Sequence, residues 1–283
     1  MHKPKMSRDC VFWEKQLKLI FMGEKFFADA DLHMHTIHSR KDSISTPDVL
    51  AEKCRAVGLE YVAITNHDTT EGTEEVREAA KEIGYGLTVI KGEEITTGEL
   101  NEDGKETEIQ AYPLEETIPR GLSMRKTLEE IKKQGGFVAV PHQFELWRHG
   151  AGEEGGKQII AYAKEMEIPL LWEIFNSRST KENNKRAMKF YKEKRFRAGL
   201  LKVAGSDSHH PREIGRVKLS LPHFKTRDEF LKSLQLSSRW EINFHGDDTY
   251  KTTVFCRFLV RANHLLSKTP PFVQKLFKSL PAQ

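Results

Sequence analysis

Short apolar segments rich in β-branched residues recur along this 283-residue chain, and amphipathic segments separate them. The apolar runs are typical of buried parallel strands, and the segments between them have the periodicity and end signals of helices. Helices are predicted around 47–58, 73–83, 123–135 and 179–198, and strands at 61–65, 87–91, 137–141, 170–175 and 200–204. Strand and helix alternate from about residue 27 to 245, which predicts right-handed βαβ units and therefore an α/β fold.

Two segments interrupt this alternation. Residues 98–108 are acidic and contain glycine, which predicts an exposed hairpin or loop before a short strand at 109–112. Residues 143–157 contain four glycines and predict a long loop directly after His142. Loops of that length beside a site often act as lids, so Trp147-Arg148-His149 is a candidate lining of a substrate entrance.

The composition, 38% hydrophobic and 30% charged, is that of an ordinary globular protein. No run approaches the roughly 18 apolar residues of a membrane span, and the N-terminal segment lacks the apolar core of a secretory signal. Cys10, Cys54 and Cys256 are odd in number and far apart, which favours reduced thiols in a cytoplasmic protein.

The net charge of +4 is too mild to define a nucleic-acid-binding class, but its distribution is uneven. Residues 181–197 form a strongly basic helix, and no acidic residue follows Asp248. Residues 246–283 therefore predict a basic amphipathic extension that packs on the main domain, meets another subunit or touches nucleic acid or another anionic surface. Residues 1–27 predict an N-terminal amphipathic extension that pairs with it.

Metal-ligand side chains stand where the predicted strands end. They are His33 and His35, His67, Glu94, His142, and Asp207 with His209. Because the carboxyl ends of parallel strands meet at one rim, these side chains predict one polar site. Imidazoles and carboxylates without thiolates favour manganese, zinc or iron over magnesium or calcium. The candidates exceed what one ion needs, and Glu94 is placed to bridge two ions that activate a water and clamp a phosphoryl group.

The same residues carry a resemblance to a known family. His33-x-His35, Asn66-His67-Asp68, Gly92-Glu93-Glu94-Ile95, Pro141-His142 and Gly205-Ser206-Asp207-Ser208-His209 follow the motif order of the polymerase-and-histidinol-phosphatase (PHP) family. The resemblance covers about residues 28–235. It implies a distorted (βα)7 barrel, here 28–245, with N- and C-terminal helical extensions, two or three divalent transition metal ions at the C-terminal rim, and phosphoesterase activity.

The resemblance also implies a role for each ligand. The first metal takes His33, His35, Glu94 and Asp207, which are the candidate catalytic residues, and Glu94 bridges to a second metal that also takes His142. The third metal takes Asp42, His67 and His209. Glu93 is expected to point away from the site, and Asp68 to orient His67 or a loop.

One departure concerns the short strand after the Glu94 loop, where the family usually has a histidine and this chain offers Gln110. The second metal site is therefore expected to be weaker, to be held by Gln110 through oxygen or water, or to be empty.

The expected function is hydrolysis of a phosphate ester by a metal-activated water, with a phosphomonoester of a small metabolite or nucleotide favoured as substrate. Arg178 and Arg212 lie just beyond site strands, where they either grip a phosphate bidentately or are solvated surface residues. The alternative is a metal-binding barrel whose catalysis has lapsed and which binds nucleic acid or an anionic surface.

Overall fold

The computed structural model describes residues 27–39, 42–236 and 239–242, the last four through their backbone alone. The predicted extensions at 1–27 and 246–283 lie outside these ranges, apart from Phe27. The strands are β1 (Phe27–Met34), β2 (Tyr61–Ile64), β3 (Thr88–Lys91), β4 (Glu93–Leu100), β5 (Glu106–Tyr112), β6 (Phe137–Val140), β7 (Leu170–Asn176), β8 (Leu201–Gly205), β9 (Val217–Pro222) and β10 (Arg239–Ile242). The helices are α1 (Pro47–Val57), α2 (Thr73–Glu82), α3 (Met124–Lys133), α4 (Gly152–Glu165), α5 (Lys181–Ala198) and α6 (Arg227–Leu236).

The described strands form two five-stranded sheets, in the orders β10-β9-β1-β2-β3 and β4-β5-β6-β7-β8. The pairs β1–β2, β2–β3, β6–β7 and β7–β8 are parallel, whereas β4–β5 and β5–β6 are antiparallel. The α/β class predicted from the sequence is therefore confirmed, with mixed rather than purely parallel sheets.

The two sheets approach each other at two seams near the carboxyl ends of their strands. At one seam Met34 forms an isolated parallel bridge with Ser208, and at the other His67 forms one with Glu94. The ladders of the described strands stop at these seams and do not run on into a closed barrel. The expected (βα)7 barrel is therefore not confirmed, although both seams lie at the rim that carries the predicted ligands.

Local sequence signals explain where the best-predicted helix begins and ends. The Thr46 hydroxyl accepts a hydrogen bond from the Val49 N–H (3.4 Å), and Pro47 opens the helix because it lacks the N–H that would be left without a partner there. Gly58 ends α1 in a left-handed conformation, at φ 75°. These are the signals from which this helix was predicted.

The predicted loop at 143–157 is wrong in its second half, because α4 begins at Gly152. A Cβ at Gly156 would lie 2.7 Å from the Gln143 amide nitrogen and 3.0 Å from the Trp172 ring. This glycine lets the helix approach β7 closely, so it is a packing residue rather than a mark of a loop. The described helices include none with both the length and the apolar character needed to cross a lipid bilayer.

Two large apolar clusters hold the sheets and helices in place. One draws on strands of both sheets and on α6, and so fills the space between the sheets. The other packs the β4–β8 sheet against α3, α4 and α5, with Trp172 fully buried at its centre. The Trp172 ring stacks on Phe190 (centroids 4.8 Å apart), and its N–H donates to Gln143 (3.1 Å). The polar rim is therefore supported by a well-packed apolar core.

Candidate metal centre

The predicted ligands come together at the rim where the strands end. His33 is on β1 and Glu94 on β4, and the other members directly follow strands: His35 after β1, His67 after β2, His142 after β6, and Asp207 and His209 after β8. All of these side chains are buried except His67, whose side chain is 14% exposed. Asp42 lies over them from the loop after β1, with a side chain that is 39% exposed.

A break in the strand pattern of β1 turns its histidines toward this rim. Ala30 and Leu32 belong to the cluster between the sheets, but Met34 belongs to the cluster under α1 and α2. The register between β1 and β2 shifts between Asp31 and Met34, which is where the alternation changes sides. His33 therefore points inward at a position where simple alternation would send it outward.

The first ligand cluster is the tightest. The His33 Nε2 and His35 Nε2 atoms are 3.1 Å apart, and they lie 3.3 Å and 3.2 Å from Glu94 Oε2. Asp207 Oδ1 is 3.5 Å from His33 Nε2 and 3.4 Å from His35 Nε2. Ligands about 2.0–2.1 Å from one tetrahedral ion stand about 3.3–3.4 Å apart. The spacing therefore suits a single ion.

The second cluster shares Glu94 and contains a residue that the sequence analysis missed. His142 Nε2 is 2.9 Å from Glu94 Oε1, and His67 Nδ1 is 3.4 Å from Glu94 Oε2. Glu108 completes the group, because its carboxylate oxygens lie 3.2 Å from His67 Nδ1 and 3.8 Å from His142 Nε2. Glu108 precedes Gln110 by two residues on β5, so strand alternation is the signal that could have identified it. The expectation of a weak or empty second site was built on Gln110 alone.

The third cluster is the one predicted from the resemblance. Asp42 Oδ2 lies 3.1 Å from His67 Nε2 and 3.1 Å from His209 Nε2. The rings of His35 and His209 pack with centroids 4.1 Å apart, and His35, His67 and His209 form one of the groups able to hold an ion. His67 faces the second cluster through Nδ1 and the third through Nε2.

The backbone of the candidate centre includes one close contact between strands, at Gly205, and two residues with positive φ, Asp207 and His142. A Cβ at Gly205 would collide with the His33 side chain, so only glycine lets β8 pass this close to β1. Asp207 has φ 54° and His142 φ 26°, a region that side-chain-bearing residues rarely adopt. Strain of this kind is concentrated at functional sites.

A ring of buried polar residues orients the ligands from outside. Glu173 Oε1 pairs with His33 Nδ1 (2.9 Å), while its Oε2 accepts from the His142 N–H (2.7 Å) and from the Asn176 amide (3.0 Å). If His33 carries its proton on Nδ1 toward Glu173, its Nε2 lone pair faces the first cluster. The Arg148 guanidinium donates to Asp207 Oδ2, which leaves Oδ1 toward the histidines.

The electrostatics of the centre favour cations. Burial alone would raise the pKa of Glu94, but His33 and His67 and a hydrogen bond from His142 hold it well below its usual range. Burial likewise opposes ionisation of Asp207, and Arg148 and His33 nevertheless keep its pKa low. The pKa of His33 is raised well above its usual value despite burial, because Asp207, Glu94 and Glu173 face it. The same negative potential attracts divalent cations.

Two buried atoms that make no hydrogen bond also indicate a metal site. Asp207 Oδ1 and His67 Nδ1 are buried, and although ionisable groups lie 3.2–3.5 Å from them, neither makes a hydrogen bond among the described residues. A buried polar atom without a partner costs free energy, and coordination of an ion would supply the missing interaction. The donor set and these atoms therefore fit divalent metals.

Four further residues named in the sequence analysis lie outside the three clusters. The Arg178 side chain is largely buried and donates to the Asp207 carbonyl oxygen (3.4 Å), whereas Arg212 is exposed on a short 3₁₀ turn at Pro211–Glu213. Glu93 points away from the centre, as expected, and accepts from the Ile118 N–H (2.8 Å). Asp68 accepts from the Thr96 N–H (2.7 Å) and so ties its loop to β4.

Fold and site together define an α/β protein with a buried histidine–carboxylate centre able to hold metal. The PHP domain model matches residues 31–134, and the PHP-associated model matches residues 181–237. The chain belongs to the PHP family.

The proteins similar to this chain align with different fractions of its length. An uncharacterized protein of Methanocaldococcus jannaschii is 38% identical over 124 residues, which are 41% of this chain and 67% of that protein. A 5'-3' exoribonuclease of Haemophilus influenzae is 31% identical over 104 residues, 37% of this chain but only 35% of the relative. Among solved structures, a two-domain protein of Bacteroides vulgatus containing a predicted PHP-like metal-dependent phosphoesterase has a TM-score of 0.58 at 18% identity, over 81% of this chain and 69% of that one. This last likeness supports the fold.

Proposed function

We propose that the protein is a metal-dependent phosphoesterase. The observation that carries this proposal is the set of ligand clusters joined through Glu94 and His67, in which four carboxylates and five histidines converge at one rim. The carboxylates are Asp42, Glu94, Glu108 and Asp207, and the histidines are His33, His35, His67, His142 and His209.

The proposal assigns the first ion to His33, His35, Glu94 and Asp207. It assigns the second to Glu94, Glu108, His142 and His67, and the third to Asp42, His67 and His209. Manganese, zinc or iron would suit this mixture of imidazole and carboxylate. When bound, such ions lower the pKa of water to supply a nucleophile and neutralise charge on the phosphoryl group.

The chain's own residues have separate tasks in this proposal. Glu173 holds His33 and the His142 backbone in place, and Arg148 fixes one oxygen of Asp207 so that the other faces the histidines. Arg178, which donates to the Asp207 carbonyl oxygen, would bind a non-bridging phosphate oxygen in this proposal. The closed seven-stranded barrel also belongs to the proposal, supported by the bridges at both seams.

The alternative of a lapsed, metal-loaded binding module loses its main support. It was motivated by a missing ligand at Gln110 and by the basic segment 246–283. Glu108 offers a carboxylate to the same cluster, and the basic segment lies outside the described residues. Hydrolysis of a phosphate monoester of a small metabolite or nucleotide is the favoured activity. Exoribonucleases among the relatives extend the candidate substrates to nucleic acid.

The test is metal reconstitution of the full-length chain. After chelation, the protein is loaded with manganese, zinc or iron, its metal content is measured, and hydrolysis of p-nitrophenyl phosphate, bis(p-nitrophenyl) phosphate and nucleotides is assayed. We expect His33→Ala and Asp207→Ala to lose bound metal and turnover together, by more than the about 10- to 100-fold typical of lost outer-sphere contacts. His38→Ala, a rim histidine outside the clusters, is the matched control. Metal-independent turnover, or full activity in both ligand variants, would contradict the proposal.

A further inference from the structure

Helix α5 exposes a row of lysines with one aromatic ring near its end. Lys181, Lys185, Lys189 and Lys192 are exposed, and Phe196 follows them with 84% of its surface in solvent. At about 100° per residue, these five positions lie within an arc of about 80° on the helix surface. Phe196 is the most exposed large apolar side chain among the described residues. We refer to these five residues as the lysine crest.

The crest lies opposite the face by which α5 is held. Ala187, Phe190 and Tyr191 are buried in the apolar cluster of the β4–β8 sheet, and Phe190 stacks on Trp172. The middle of this buried face is roughly 180° around the helix from the crest. The crest therefore projects outward from the fold, and the packing of α5 does not use it.

The positive charge of the crest is largely unpaired. Lys185 lies 3.7 Å from Glu182, whereas the other three lysines of the crest form no salt bridge within the described part of the chain. The whole helix carries eight basic residues against two acidic ones, Glu182 and Glu193. A basic run alone is usually a solvated face. Phe196 is a second observation, because its exposed ring gives up most of the stabilisation that burial of a phenylalanine supplies.

The surroundings of the Phe196 ring suit insertion into an apolar medium. The Arg195 guanidinium lies over the ring, 4.4 Å from its centroid, and covers one face. Stacking on a flat ligand uses a face, whereas insertion into hydrocarbon requires only that the ring protrudes. An arginine beside a bilayer keeps its charged group in the polar layer while its stem lies along apolar surface. The cation over the ring is therefore compatible with insertion.

The size and shape of the crest favour a flat anionic partner. The 18 residues of α5 extend about 27 Å, and a helix is about 10 Å wide, so the crest covers roughly 270 Å². A stable protein–protein interface takes about 800 Å² from each partner. Single-stranded nucleic acid is bound along a groove, whereas this row stands on the convex side of a helix. An anionic bilayer needs neither, since each lysine near its surface contributes separately.

We propose that the lysine crest of α5 is a docking surface for an anionic phospholipid bilayer. The lysines lie at the headgroups, and the Phe196 ring inserts at the boundary between headgroups and acyl chains. Attachment of this kind is peripheral and reversible, because four point charges and one ring bind far more weakly than a spanning helix. The proposal does not depend on the proposed phosphoesterase function.

The lysines are tested by sedimentation of the full-length protein with vesicles of phosphatidylcholine, alone or mixed with phosphatidylserine. Only the mixed vesicles should bind the wild type. Each lysine near an anionic surface contributes about 5-fold to the partition coefficient, so removal of three should lower it about 100-fold. The variant is Lys185→Gln, Lys189→Gln, Lys192→Gln.

The matched control removes the same charge from exposed positions on α1, α2 and α3. This control is the triple variant Lys53→Gln, Lys81→Gln, Lys132→Gln. It should bind the mixed vesicles like wild type. Both triple variants should hydrolyse bis(p-nitrophenyl) phosphate at the wild-type rate, which also shows that they fold.

Insertion of the ring is tested separately. Phe196→Ala is expected to weaken binding about 10-fold. This loss should persist as salt is added, because the hydrophobic contribution is not screened, whereas the contribution of the lysines falls. In Phe196→Trp, the emission gained over wild type should be quenched by vesicles with brominated acyl chains.

Three outcomes would overturn the proposal. The first is wild-type protein that binds neither kind of vesicle or binds both equally. The second is full binding by the α5 triple variant and Phe196→Ala, which would place the attachment elsewhere, such as in the basic segment 246–283. The third is binding of a labelled single-stranded octanucleotide that the α5 triple variant loses, with no binding of vesicles, which would make nucleic acid the partner. Each outcome leaves the proposed phosphoesterase untouched, since that is measured by metal-dependent hydrolysis.

Discussion

Glu173 offers the sharpest test of how the metal centre is built, because it touches no predicted reacting atom yet faces three donors. Oε1 pairs with His33 Nδ1, and Oε2 accepts from the His142 N–H and the Asn176 amide. In Glu173→Gln one carboxylate oxygen becomes an amide NH₂. Whichever way the amide is oriented, an N–H group then faces a donor.

Each orientation predicts a defect at the metal ligands. With the NH₂ toward His33, that ring must shift its proton to Nε2, where it blocks the first cluster. With the NH₂ toward His142, the strained backbone at φ 26° loses its acceptor and Asn176 is displaced. Loss of such an outer-sphere carboxylate typically weakens metal binding 10- to 100-fold, which is about 1.4–2.7 kcal/mol.

The assay is metal affinity of the purified full-length variants by competition with a chelating dye, together with activity as a function of metal concentration. Activity of Glu173→Gln should recover toward wild type at high metal, because the variant lowers occupancy rather than removing a reacting group. Glu93→Gln is the matched control, since Glu93 is equally buried but, among the described residues, accepts only from the Ile118 N–H and points away from the centre. Equal metal affinity in Glu173→Gln and wild type would refute the orienting role.

Further outcomes follow from the same geometry. Glu108→Ala should lower the metal content by about one ion per chain while Gln110→Ala leaves it unchanged, as elemental analysis would show; equal loss in both would contradict the assignment to Glu108. Burial raises the pKa of Glu93 from 4.5 to about 8, so the folded state binds this proton more tightly than the unfolded state. Its contribution to stability is full below about pH 4.5 and is lost as the pH rises through 8, by on the order of 3 to 5 kcal/mol. Urea unfolding of Glu93→Gln between pH 5 and 8.5 should lack this decline, and a wild-type decline that persists in the variant would exclude Glu93 as its source. Trp172→Ala should cost about 3–5 kcal/mol of stability by the same measurement, and a loss under 1 kcal/mol would show that the cluster behind the rim collapses around the gap.

Much of the candidate ligand set could be predicted from the sequence because the signals are local. A histidine or carboxylate at the end of an apolar strand is visible in the chain, and parallel strands bring such ends to one rim whatever the loops between them do. The first and last residues of the helix Pro47–Val57 are likewise predictable from its own capping residues. These features depend on backbone geometry over a few residues, so their prediction needs no tertiary information.

Other parts of the site depend on contacts between distant segments. Glu108 and Gln110 share one face of a strand, and only the pairing of β4 with β5 and the position of His67 show that the glutamate reaches the ligands. Gly156 resembles a loop glycine in the sequence, although its role is the approach of α4 to Trp172. In both cases the deciding neighbour comes from another element of the fold.

The sequence by itself determined the α/β alternation, the family and most of the side chains at the rim, because periodicity and strand ends are properties of short segments. The tertiary structure decided that the strands form two sheets meeting at two seams, that an irregularity in β1 turns His33 inward, and that Glu108, Glu173 and Arg148 belong to the centre. The physical reason is that a register shift, a close approach or a buried charge pair exists only between elements, and its free energy depends on distances that no single segment contains.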